Sequence, residues 1–156
     1  MPQYLPRELR ALGDIPPNNI GAEPGVGDRV RVFRSTIHLD APYINSASAA
    51  AQILTTDTVL LNRIPAGMRF LYGVLTSSVS LGTSTIAIGI AGTTDLYRAA
   101  AAFTAVDTPT LFGPAAGAMA LGPLAADQLV ILTPAVANLP NTAGARLIVD
   151  LYFGNA

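Results

Sequence analysis

The sequence predicts an all-β fold, an antiparallel β-sandwich or jelly roll behind an extended N-terminal arm. Three observations carry that expectation. From residue 29 onward, short segments place apolar residues at every second position. Gly, Pro and Asn turns separate those segments. No segment holds a helical period for more than about two turns, so the crossover helices of a parallel sheet are missing.

The arm is residues 1–28. Pro2, Pro6, Pro16, Pro17 and Pro24, with Gly13, Gly21, Gly25 and Gly27, block both helix and ladder hydrogen bonds. Only "PRELRAL" (6–12) can form a helical turn, with Pro6 at its start. Tyr4, Leu5, Leu9, Leu12 and Ile15 give the arm apolar anchors, and charges cluster with them at Arg7, Glu8 and Arg10. Apolar side chains on an extended arm need a surface to lie on. Tyr4, Leu5, Arg7, Leu9 and Arg10 are therefore the expected partner-binding residues.

The sandwich is residues 29–156. "RVRVFRSTIHL" (29–39) alternates arginine with valine, and a small-residue loop follows at 41–52. "TVLLNRI" (58–64) runs into the turn "PAG" (65–67). "MRFLYGVLTSSV" (68–79) puts Met68, Phe70, Tyr72 and Val74 on one face. In the strand at 83–91, Ile86, Ile88 and Ile90 alternate with Ala87 and Gly89, so both faces are uncharged. "DLYRAAAAFTA" (95–105) reads equally as helix, from its alanines, or as a bulged strand. "QLVILTP" (128–134) is a short buried strand stopped by Pro134. "ARLIVDLYF" (145–153) aligns Leu147, Val149, Leu151 and Phe153. The expected core contains Phe70, Tyr72, Val74, Ile86, Ile88, Val149 and Leu151.

Composition narrows the functions. A chain of 156 residues suits one domain. Charged residues make up 12%, about half the usual share, while 51% are hydrophobic, the reverse of a disordered chain. No run reaches the roughly 20 apolar residues of a membrane-spanning helix, and no apolar stretch follows the charges of "MPQYLPRELR" as a signal peptide requires. A net charge of −1 argues against a nucleic-acid binder. Cysteine is absent, so disulfides and thiolate metal sites are excluded. Every basic residue is arginine. That fits either selection for contacts or a GC-rich genome, which also favours Ala, Gly and Pro.

No catalytic motif appears. The single histidine, His38, lies two residues from Asp40 with Ser35, Ser46 and Ser48 nearby, but no nucleophile elbow surrounds any serine. His38 and Asp40 read as a polar pair at a strand end. Asp57, Asp95, Asp107, Asp127 and Asp150 are spaced singly and suit turns and caps; a loop calcium stays open, since distant carboxylates can converge. "GIAGTTD" (89–95) lacks the lysine of a phosphate loop. No cofactor is expected.

The uncharged faces of strand 83–91 admit two explanations. The strand is covered on both sides within the domain, or its outer face packs against copies or a larger assembly. The arm favours assembly.

"IPAGMRFLYGVLTSSVSLGTSTIAIGIAG", "DLYRAAAAFTAVDTPTLFG" and "ARLIVDLYFGNA" resemble the head decoration (cement) proteins of tailed bacteriophages. The resemblance spans roughly residues 57–156 and lies in strand-and-turn phrasing. It implies a non-enzymatic virion structural protein that binds the major capsid protein on the capsid exterior, expected as a homotrimer with a dimer as second choice, and assembled in the bacterial cytoplasm. From the net charge and the absence of a spanning apolar run, no direct contact with nucleic acid or membrane is expected. The competing readings are a carbohydrate- or host-binding module of a phage fibre and a small jelly-roll enzyme.

Overall fold

The computed structural model describes residues 30–40, 52–114 and 121–155. Among them are eight strands: β1 (Arg31–His38), β2 (Val59–Ile64), β3 (Met68–Ser77), β4 (Thr85–Ile90), β5 (Thr93–Ala102), β6 (Thr110–Phe112), β7 (Gln128–Ala135) and β8 (Arg146–Asn155). They form two four-stranded antiparallel sheets, ordered β1-β8-β3-β6 and β2-β7-β4-β5. The first half of the chain therefore pairs with the second half in reverse order: 1 with 8, 2 with 7, 3 with 6, 4 with 5. This rolled ribbon is jelly-roll-like, as the alternating pattern predicts.

The core lies between the sheets. Ile37, Phe70, Leu75, Leu147, Val149, Leu151 and Phe153 come from the first sheet, and Ile64, Ile86, Ile88, Tyr97, Val130 and Leu132 from the second; all are buried. Aromatic rings tie the layers together. Phe70 of β3 lies 4.6 Å from Tyr97 of β5 and 5.4 Å from Phe153 of β8, centroid to centroid, within the range of favourable ring pairs. Asn62 of β2 donates to the hydroxyl of Ser35 of β1 at 2.6 Å, linking the two sheets at one edge.

Phe70, Ile86, Ile88, Val149 and Leu151 are inside as expected, but Tyr72 is 39% exposed and Val74 is only half-buried. The cause is a bulge. Phe70 pairs with Phe153 and Tyr72 with Tyr152, so Leu71 is an extra residue in β3. One inserted residue moves every later side chain to the opposite face. After the bulge, Gly73, Leu75 and Ser77 point inward. Gly73 leaves the space that the Phe112 ring occupies; a Cβ there would overlap the ring.

The ambiguous segment 95–105 resolves as strand through Ala102, where β5 ends, and not as helix. β5 carries extra residues against β4: Ile86 pairs with Ala101, Ile88 with Arg98 and Ile90 with Thr93. Arg98 fills the gap so created. Its guanidinium donates to the Ile86 carbonyl and, at 3.2 Å, to that of Ala101. The backbone of Thr93 and Thr94 folds so closely over Gly89 that no side chain fits there. Ala87 and Gly89 are buried. The uncharged outer face of β4 is thus covered within the domain, and it is not the assembly surface that the sequence reading favoured. The three-residue β6 is an addition to the strands predicted. β7 runs one residue past Pro134, which lies beyond Leu132, the last residue β7 pairs with β2.

Candidate assembly surface

Tyr4, Leu5, Arg7, Leu9 and Arg10, the expected partner-binding residues, lie outside the described residues, as does the whole arm. One surface that the described residues offer to a partner is the outer face of β1-β8-β3-β6. Strand alternation and register place side chains on it in rows. Val32, Tyr152 and Tyr72 form one; Arg34, Asp150, Val74 and Leu111 form the next; Thr36, Ile148 and Thr76 form a third.

The first row holds a stacked pair. The Tyr72 and Tyr152 rings lie 4.4 Å apart at 18°. The bulge at Leu71 makes this pair, because without it Tyr72 would face the core. Val32 and Leu111 are exposed beside it. The second row holds an ion pair in which Arg34 Nε and Nη2 each donate to a carboxylate oxygen of Asp150 at 2.7 Å. Asp150 is buried and Arg34 exposed. The hydrogen bond and then the charge of Asp150 raise the Arg34 guanidinium above its ordinary value. Arg69, Arg146 and His38 fall on the same face by alternation, giving three arginines, one histidine and one aspartate among the described residues. The face is basic, partly aromatic and partly aliphatic, which suits a protein contact.

Catalytic arrangements do not form among the described residues. Ser35 points between the sheets to Asn62, while His38 is exposed on the opposite side of β1. A nucleophile and base cannot meet from opposite faces of one strand. The carboxylates serve turns: Asp40 accepts the Gly144 N–H, Asp57 that of Leu54 and Asp127 that of Ala66. Among the described residues no three His, Cys, Asp or Glu side chains converge as a metal would need. Burial pushes the Tyr97 phenol up to about 12 and lowers the Arg98 guanidinium; Tyr97 packs against Phe70 and Phe153, and Arg98 donates to strand carbonyls, so both serve the packing.

No protein family's profile matches the chain, and no curated protein matches it in sequence. Solved structures do. A chain of the cyanophage Pam1 capsid asymmetric unit superposes with a TM-score of 0.58 at 20% identity, covering 86% of this chain and 90% of that one. The capsid of Ralstonia phage GP4 gives 0.61 at 15% identity, covering 86% and 89%. The acid-stable capsid of Helicobacter pylori bacteriophage KHP30 gives 0.54 at 10% identity, covering 82% and 90%. The fold is one found in phage capsids. At these identities the likeness belongs to the architecture, and no residue role passes with it.

Proposed function

We propose that the chain is a non-enzymatic structural protein of a bacteriophage virion, bound to the outer surface of the head as a decoration (cement) protein. The observation that supports this reading best is the match over most of both chains to components of three phage capsids. The basic outer face with its stacked tyrosines supplies a contact surface of the right character, and self-association as a trimer would bury part of it. In this reading the arm, residues 1–28, reaches a neighbouring subunit or the major capsid protein through Tyr4, Leu5 and Leu9. Ordering such an arm costs roughly 1–2 kcal/mol per residue, so it is repaid only where those anchors find a surface.

Copy number tests the reading. Mass spectrometry of purified virions should find the chain at hundreds of copies per particle; a fibre module would be present in few copies and an enzyme in none. Deleting residues 1–28 should leave the melting transition of the free domain unchanged and weaken binding to undecorated heads. Full-strength binding by the truncated chain would reject the arm as an attachment device.

A further inference from the structure

Val136 is the most exposed large hydrophobic residue described, at 77%, and its backbone is strained. Its φ is +69°, and the Ala137 N–H donates across it to the Ala135 carbonyl at 2.8 Å. A hydrogen bond between residues two apart, around a positive φ, marks the rare and strained form of the γ-turn. A β-branched residue is the least suited side chain for such a turn. Strain of this kind persists only where the surroundings over-determine it, and here they do. Asn138 Oδ1 accepts the Thr55 N–H at 3.0 Å, the Leu139 N–H donates to Ile53 at 3.0 Å, and Gln52 Nε2 donates to the Leu139 carbonyl at 2.6 Å. Leu139 is fully buried. The loop is fixed, yet the valine it displays contributes almost nothing to the core.

The same end of the sandwich repeats the device. Val106, 46% exposed, precedes Asp107, the other non-glycine residue with positive φ among those described. That turn is held by the Asp107 N–H donating to the Ser77 carbonyl at 2.7 Å and the Thr108 hydroxyl donating to the Val106 carbonyl at 3.0 Å. Leu54, 40% exposed, sits on the loop bonded to Asn138 and is held by the Asp57 carboxylate at 2.8 Å. Strand directions place Leu54 before β2, Val106 after β5 and Val136 after β7, all at one end. Among the described residues the ionisable side chains there are Asp40, Asp57 and Asp107 against Arg146 and His38.

We infer that this end is a docking tip whose aliphatic knobs, Val136 foremost, insert into an apolar recess rimmed by basic side chains on the capsid shell. The inference rests on the preceding reading of the chain as a head-binding protein and assigns the contact to a particular end. Fixed knobs lose little conformational freedom on binding, which is how a small contact becomes a hot spot. The acidic balance of the tip selects a basic rim. The basic outer face of a second copy is a poorer occupant, because it offers projecting side chains rather than a recess.

The test uses the full chain and undecorated heads assembled from the major capsid protein of the same virus. Val136→Asn and Val136→Gly both suit a positive φ. Each should melt at or above the temperature of the unaltered chain, keep its oligomeric state by light scattering, and bind heads about tenfold or more weakly. Leu54→Ser and Val106→Ser should weaken binding further. Val136→Asn binding at full strength would overturn the inference alone and leave the decoration reading standing. Failure of the unaltered chain to bind would overturn both. A lower melting temperature would show that the valine serves the fold, and a changed oligomer would make the tip a self-contact; either result overturns the assignment.

Discussion

Arg34 and Asp150 face one another across β1 and β8, joined by two hydrogen bonds of 2.7 Å, with the carboxylate buried and the guanidinium open to water. The asymmetry predicts an order of effects. Arg34→Ala strands a buried carboxylate, while Asp150→Asn releases an arginine that water can solvate. Arg34→Ala should therefore lower the melting temperature more than Asp150→Asn. Adding Asp150→Asn to Arg34→Ala should recover part of the loss. Thermal melts of the three variants check the order, and a larger loss from Asp150→Asn would contradict it.

Gly73 and Phe112 form a lock in the same sheet. Gly73→Ala should destabilise the domain by about 1–3 kcal/mol, the usual cost of overpacking, because the new methyl meets the Phe112 ring. Shortening the ring with Phe112→Leu should cost less in the Gly73→Ala background than alone. Urea denaturation of the double-mutant cycle reads that coupling directly.

The Tyr97 phenol is buried, has no hydrogen-bond partner, and is pushed up to about 12 by burial. Its unfolded value is about 10. Between these the unfolded chain has lost the proton and the folded one keeps it, so stability is full below pH 10 and falls as pH rises toward 12. The loss reaches about 2–3 kcal/mol. Arg34, whose guanidinium is raised by its bond to Asp150, gives up its contribution only above the ordinary arginine range, outside this window. Tyr97→Phe should flatten the alkaline limb and raise stability at neutral pH by roughly 1 kcal/mol or more. An unchanged alkaline limb in that variant would assign the titration elsewhere.

Tyr72→Ala removes half of the stacked pair from an exposed face. The fold should lose no more than about 0.5–1.5 kcal/mol, whereas the self-association proposed above, followed by sedimentation, should weaken clearly. A variant that destabilises the monomer and leaves the oligomer intact would remove this face from the assembly.

Ile88→Ala opens a cavity at a fully buried position of β4 and should cost about 2–5 kcal/mol in chemical denaturation. A cost below about 0.5 kcal/mol would mean that the strand repacks freely around the gap.

The strand periodicity of Ile86, Ile88, Val149 and Leu151 was legible because regular alternation survives wherever a strand is unbroken. It failed at Leu71, where one extra residue changes the phase without changing the composition. Tyr72 and Val74 were assigned to the core for that reason, and the tyrosine stack went unseen. The only local sign was Gly73, whose missing side chain makes room for Phe112. Arg98 was equally hidden. A lone arginine in an alanine run gives no hint that it fills the gap in a bulged strand and covers β4. Strain at Val136 has no sequence signature at all, since valine is a residue the turn disfavours. The singly spaced aspartates were read correctly only in part: Asp57 holds the Leu54 N–H, Asp107 sits in a turn and Asp127 holds the Ala66 N–H, but Asp95 lies within β5 and Asp150 within β8, where it pairs with Arg34 across the sheet.

The pairing of first strand with last also sets the order in which the chain can fold. β4 and β5 are joined by a tight turn and can meet early, but Arg34 must find a partner 116 positions away. Domains dominated by such distant pairings refold in milliseconds to seconds rather than microseconds. On the ribosome the constraint is stricter. At roughly 5–20 residues per second, Phe33 and Ile37 emerge early and then wait several seconds for Leu151 and Leu147 to be made. Throughout that interval β1 is an unpaired strand with an apolar face, the species most exposed to pairing with the wrong chain. Production of this protein should therefore be limited by the rate of synthesis of its last strand, and slowing translation should lower its soluble yield.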